Sequence, residues 1–131
     1  MLTAGVSVAF AKSGPSKVKV PMNLSSFSNC GLSSKKPSGS VTFTRSKGAL
    51  TIHTQLHGAF PGKYRVVVGT LVDQYCFAIT GFIDTFGVDG SGEGSSTKTI
   101  IVPVFQSFII AAVNFDNGAV YQSPVVKLGS N

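Results

Sequence analysis

Leu50-Thr51-Ile52-His53-Thr54-Gln55-Leu56-His57 alternates, so that Leu50, Ile52 and Leu56 share one face while His53, Gln55 and His57 share the other. A period of two with one apolar face is the pattern of a half-buried β-strand. Upstream the pattern recurs: Val41 and Phe43 alternate with Ser40, Thr42 and Thr44, Val18 and Val20 with Lys17 and Lys19, and Val6, Val8 and Phe10 with Ser7 and Ala9. Downstream, residues 64–71, 75–83, 99–104, 108–115 and 119–128 hold the Val, Ile, Phe and Tyr that pleated sheets favour. A sustained 3.6-residue period is nowhere visible. Pro61-Gly62, Asp89-Gly90, Asn117-Gly118 and the tract Gly90-Ser91-Gly92-Glu93-Gly94-Ser95 separate the runs and supply turn chemistry. The spacing predicts an all-β protein, an antiparallel β-sandwich (Ig-like or jelly-roll) with an N-terminal strand and arm. Residues 12–39, with Pro15, Pro21 and Pro37, read as loose, which assigns 1–38 to strand and arm and 39–131 to the sandwich body.

With 131 residues the chain is one domain's worth, able to bury about two-thirds of its unfolded surface in one core. Charged residues make up 12%, about half the usual share, so solubility rests on Ser, Thr, Gly and a modest net charge, a surface that favours assembly. Residues 1–65 hold nine of the eleven Lys and Arg and none of the acids; residues 66–131 hold the other two and all five Asp and Glu. A basic half can pair with its own acidic half or with that of the next copy, so self-association is the first expectation. The pI near 9.6 meets the screen for nucleic-acid binding. The Lys residues are scattered and not interleaved with stacking aromatics, so nucleic acid is not the expected partner. Apolar runs such as 108–113 fall far short of the roughly 20 residues of a membrane helix, and no membrane span is expected. Ala9-Phe10-Ala11 has the small-x-small form of a signal-peptidase site, but the preceding residues lack a basic region, and the segment reads as a structural strand.

Cys30 and Cys76 lack the close spacing of paired metal ligands and are expected to form a disulfide, stapling arm to body in an oxidising compartment. On a chain-entropy account such a closure is worth about 4 kcal/mol. Asn23-Leu24-Ser25 is an N-glycosylation acceptor triplet in the polar arm. His53 and His57 share a strand face but lie about 13 Å apart, beyond the reach of one ion. Metal: none is therefore expected, nor any other cofactor. Asp89-Gly90-Ser91-Gly92-Glu93-Gly94 copies the start of a calcium loop, yet its twelfth position is Ile100 where a bidentate Glu is required, so it reads as a hairpin tip. Nucleophile-elbow and phosphate-loop patterns are missing, and the chain reads as a non-enzyme, with no catalytic residue assigned.

Val66-Val67-Val68 and Phe108-Ile109-Ile110-Ala111-Ala112-Val113 depart from alternation, which implies strands covered on both faces. Two covers are consistent with this: the chain's own N-terminal arm, or a second subunit contacting Phe108, Ile110 and Ala112 as an interface.

Gly39-Ser40-Val41-Thr42-Phe43, Leu50-Thr51-Ile52, Leu56-His57-Gly58-Ala59-Phe60-Pro61-Gly62-Lys63-Tyr64-Arg65-Val66 and Phe86-Gly87-Val88-Asp89-Gly90-Ser91-Gly92 together resemble secreted prokaryotic Ig-like sandwiches, with their Gly-x-x-Pro-Gly-x-Tyr hairpin and later Asp-x-x-Gly turn. The opening hairpin is also similar to that of copper-zinc superoxide dismutases. In that family the Pro-Gly turn leads into metal-ligand histidines; here Tyr64-Arg65-Val66-Val67-Val68 takes their place, which counts against a metal and against dismutase activity. The layout of apolar N-terminal strand, Lys-bearing arm, stapling cysteine and doubly apolar strand resembles pilus and thread subunits that insert a donor strand into the next copy. That resemblance implies Val6, Val8 and Phe10 as the inserted side chains and the chain itself as partner in a homopolymer. The expected function is an extracellular or cell-surface self-assembling structural subunit. The alternatives are a monomeric secreted adhesion or ligand-binding sandwich, with surface glycans or anionic polymers as partners, and a capsid subunit, since a basic arm before a sandwich is similar to jelly-roll capsid proteins.

Overall fold

The computed structural model describes residues 8–9, 17–25, 36–46, 48–72, 76–101 and 107–127. Ten strands lie in them: β1 (Val8–Ala9), β2 (Lys17–Leu24), β3 (Pro37–Ser46), β4 (Ala49–Leu56), β5 (Gly62–Leu71), β6 (Phe77–Val88), β7 (Gly94–Ile101), β8 (Ser107–Asn114), β9 (Val120–Gln122) and β10 (Val126–Lys127). Eight follow one another across the sheet in the order β6-β5-β8-β9-β2-β3-β4-β7, while β10 continues past β9 along the same edge of β8 and pairs with β1. Among the described strands every pairing is antiparallel except the parallel β1–β10 ladder.

The two ends of the path, β6 and β7, are consecutive in sequence, and their hairpin brings the sheet nearly to closure. At its tip Asp89 N donates to Glu93 O at 3.0 Å and Gly92 N to Asp89 O at 2.9 Å. Ser96 Oγ then bridges to Asp84 Oδ2 at 2.6 Å. Gly92 is required there. Its φ is +86°, and a Cβ on it would stand 2.9 Å from the Gly58 Cα. The result is the expected all-β sandwich, β2-β3-β4-β7 facing β6-β5-β8-β9.

Alternation places one face of each strand inside. Val20 and Met22 of β2, Val41 and Phe43 of β3, and Leu50, Ile52 and Leu56 of β4 meet Tyr64, Val66 and Val68 of β5 and Phe108, Ile110 and Ala112 of β8 in one core. The Phe43 and Phe108 rings meet edge-on at 5.9 Å. This corrects the reading of Phe108, Ile110 and Ala112 as a subunit interface, because β8 lies inside the sheet and turns these three inward. The opposite face of β8, Ile109 and Ala111, is also buried within the single chain, in a second cluster with Val67, Phe77 and Val120. The continuous apolarity of 108–113 thus reflects cover from within the chain.

β2 lies inside the sheet as well, between β3 and β9, so the body reaches back to Lys17. Asn23 accordingly sits half-buried at the end of β2, opposite Pro37 and Gln122, and not in an arm.

Candidate functional site

Val8 and Ala9 form the N-terminal strand, and Val6 and Phe10 lie outside the described residues. β1 pairs in its own chain, Val8 opposite Val126 and Ala9 opposite Lys127, while β10 in turn places Val126 opposite Phe108. Two residues make a short ladder, and among the described strands β1 is the last on that side of the sheet. The Val126 side chain is buried in the main core, so the corner that receives β1 is itself fixed to the body.

The Pro-Gly-x-Tyr hairpin has a structural role of its own. Tyr64 points inward and its hydroxyl donates to the Phe60 carbonyl at 2.6 Å, four residues back. Phe60 N donates to the Tyr121 hydroxyl at 3.1 Å, and Asn114 Nδ2 to the Pro61 carbonyl at 3.3 Å. The Tyr64 ring stacks on Phe86 at 5.6 Å and meets Tyr121 at 6.0 Å. Burial pushes the Tyr64 phenol up to about 12. Asn114 also orders the β8–β9 turn, its Oδ1 accepting from Asp116 N at 2.7 Å and Asn117 N at 3.0 Å. Sequence reading found the Pro-Gly turn but not Asn114 or Tyr121, since nothing local ties residues 50 positions apart; the one available signal was the turn chemistry of Asn114, Asn117 and Gly118.

On the outer face of β6-β5-β8 the Arg65 guanidinium lies 4.8 Å from the Phe115 ring centre and 5.9 Å from that of Phe82. Phe82, Ile79 and Phe115 are 61%, 49% and 48% exposed. Two adjoining depressions of about 340 and 520 Å³ open here, sharing Arg65, Val67 and Ile79 as lining.

The remaining polar groups are spread over other strands. His53 Nδ1 is 2.7 Å from Thr97 Oγ1 on the β4–β7 face, and His57 Nδ1 is 3.5 Å from Glu93 Oε1 beyond the end of β4. At the β6–β7 tip Asp89 Oδ1 accepts from Ser91 Oγ, Ser91 N and Glu93 N at 2.6, 2.9 and 3.1 Å, which holds its carboxyl below the usual range, the Ser91 hydroxyl contributing most. This is a hairpin tip bonded to its own backbone. Cys76 is disulfide-bonded, and Cys30 lies outside the described residues.

No family model matches the chain, and no curated protein matches it in sequence. Among solved structures, the Cu/Zn superoxide dismutase from Brucella abortus is similar at a TM-score of 0.51 and 13% identity, over 85% of this chain and 99% of that chain. The non-enzyme expectation is corrected by this finding, because the solved structure that shares the architecture is an enzyme. The metal of that enzyme's name does not fit the residues seen here. After the Pro-Gly turn, Tyr64 is bonded to Phe60, Val66 and Val68 face the core, and Val67 sits in the outer apolar cluster. Among the described residues no group of three or more His, Cys, Asp or Glu is placed to hold an ion. At this identity the likeness is one of fold: the chain shares its nearly closed antiparallel β-sandwich with a Cu/Zn superoxide dismutase.

Proposed function

We propose that the chain is an extracellular structural subunit that polymerises by exchanging β1 between copies. The observation that carries this reading is the β1–β10 ladder. It spans two residues, at one end of the sheet, where strand separation sacrifices few backbone hydrogen bonds. A neighbouring copy offers the same β10 edge, so what is lost in one chain is regained between chains. Because the donor strand and the accepting corner are different surfaces, each added copy presents a fresh edge, and growth is head to tail.

Charge placement supports the same reading. Lys17 and Lys19 are exposed on β2, and Asp89 and Glu93 are exposed at the β6–β7 tip. β2 and β6 are separated by β9, β8 and β5, so these two lysines and two carboxylates lie apart within one chain and can meet between copies. The expected Cys30–Cys76 bond belongs to this reading as the tie between the segment after β1 and the body.

Deleting residues 1–11 tests it. The truncated chain should stay folded and sediment as a monomer while the full chain forms polymers visible by negative-stain microscopy. Polymers of normal appearance from the truncated chain would reject strand exchange.

A further inference from the structure

We propose that the Arg65 face is a binding site for a small apolar carboxylate, an ionised acid group on an aromatic or branched hydrocarbon body. This inference stands apart from strand exchange and uses the opposite corner of the sheet.

A guanidinium stacked on aromatic rings spends its π faces and keeps its in-plane N–H donors, whose fork matches a carboxylate. Arg65 is in that condition: it lies over the Phe115 and Phe82 rings, and among the described residues it has no carboxylate within salt-bridge distance. Packing against the two rings restricts its rotamers, so little further entropy is lost when an anion binds. The floor beside it is hydrocarbon, made by Val67, Ile79 and Val113, with Val67 almost fully buried at the bottom of the depression. Such a surface rejects a bare inorganic anion, which would lose water above apolar groups, and equally gives a neutral hydrocarbon nothing to orient it. An apolar acid satisfies both halves. Depressions of about 340 and 520 Å³ leave room for a ring with a short side chain.

The geometry originates in the register. Arg65 pairs with Val113 and Thr85, and Val67 with Ala111 and Phe82, while register shifts at Val66/Val67 and Val68/Gly69 break the alternation of β6 against β5. Ile79 and Phe82 are thereby left on the rim and not in the core.

The test titrates phenylacetate, and separately its neutral isostere phenylacetamide, into isotopically labelled full-length protein at neutral pH, following amide and methyl shifts by magic-angle-spinning NMR of sedimented protein, which reads free and assembled chains alike. Phenylacetate should shift Arg65, Val67, Ile79, Phe82, Val113 and Phe115 saturably. Phenylacetamide should bind about tenfold more weakly or worse, the loss expected for a charge-assisted fork. Arg65→Gln, checked for an unchanged melting temperature, should reduce phenylacetate to the level of the amide, and Arg65→Lys should fall between. Equal affinity for acid and amide, full binding by Arg65→Gln, shifts centred on Lys17 and Lys19, or no saturation would each overturn the proposal.

Discussion

Tyr64→Phe removes a single oxygen, and its effect on stability should change sign with pH. The hydroxyl donates to the Phe60 carbonyl at 2.6 Å from a residue with no measurable exposure, so water does not replace the lost bond. Below the ordinary phenol value the variant should be less stable by about 1–2 kcal/mol. Burial raises the phenol from 10.0 to about 12 in the folded chain. A group whose folded pKa is raised contributes stability that is fully present below its unfolded pKa and lost as pH rises through the folded value. Wild type should therefore lose about 2 kcal/mol between pH 10 and 12 that the phenylalanine variant has no means of losing. Urea unfolding at about pH 8, 10, 11 and 12 should show the two curves converging near pH 11 and the variant ahead at pH 12. A stability difference that stays constant across that range would refute the burial of the phenol and its role in pinning the hairpin.

Thr54 is fully buried and, among the described residues, its Oγ1 has no hydrogen-bond partner. Thr54→Val, which keeps the shape and removes the hydroxyl, should raise the melting temperature by about 3–5 °C, corresponding to about 1 kcal/mol, and Thr54→Ser should lower it; a less stable valine variant in a thermal melt would contradict this. Ser96 is the main reason the Asp84 carboxyl stays below 3.8. That stability is present above the unfolded value and is lost as pH falls through the lower folded one, so Ser96→Ala should be destabilised at neutral pH and close to wild type in strong acid. An acid-independent gap in circular-dichroism melts would speak against the bridge across β6 and β7. Digestion without reducing agent should yield a peptide linking Cys30 to Cys76, and recovery of both as alkylated thiols from the native compartment would reject the staple.

Much of the fold was legible because strand period and turn residues act locally. Ala49–Leu56 forms β4 on the face that Leu50, Ile52 and Leu56 announce, and Asn117-Gly118 turns the chain with Gly118 at φ 74°. Where tertiary contacts override local preference, the reading failed. β6 continues past Ile83 through Asp84 and Gly87, poor strand formers, because Asp84 is held by Ser96 and Phe86 stacks on Tyr64. Residues 119–128 split into β9 and β10 at Ser123-Pro124. There the Ser123 hydroxyl accepts from Ile110 N at 3.0 Å, taking a ladder position that proline cannot extend. Alternation alone places Val8 in a strand, whereas Arg65 is unremarkable in sequence and gains its setting only when register brings Phe82 and Phe115 beside it. The apolar run at 108–113 announced two covered faces, but periodicity carries no information on whether the cover comes from the same chain.

Strand exchange fixes which residues of two different copies become neighbours. Ala9 stands opposite Lys127 in the β1–β10 ladder, within the Cα separation a disulfide tolerates. One preparation carries Ala9→Cys and another Lys127→Cys; the two are mixed under assembly conditions, oxidised gently and resolved on a non-reducing gel. Exchange predicts a covalent heterodimer that neither preparation forms alone. The contradicting result is no heterodimer from the mixture while the double variant closes its own bond within a single chain, which would place β1 permanently in the chain it belongs to.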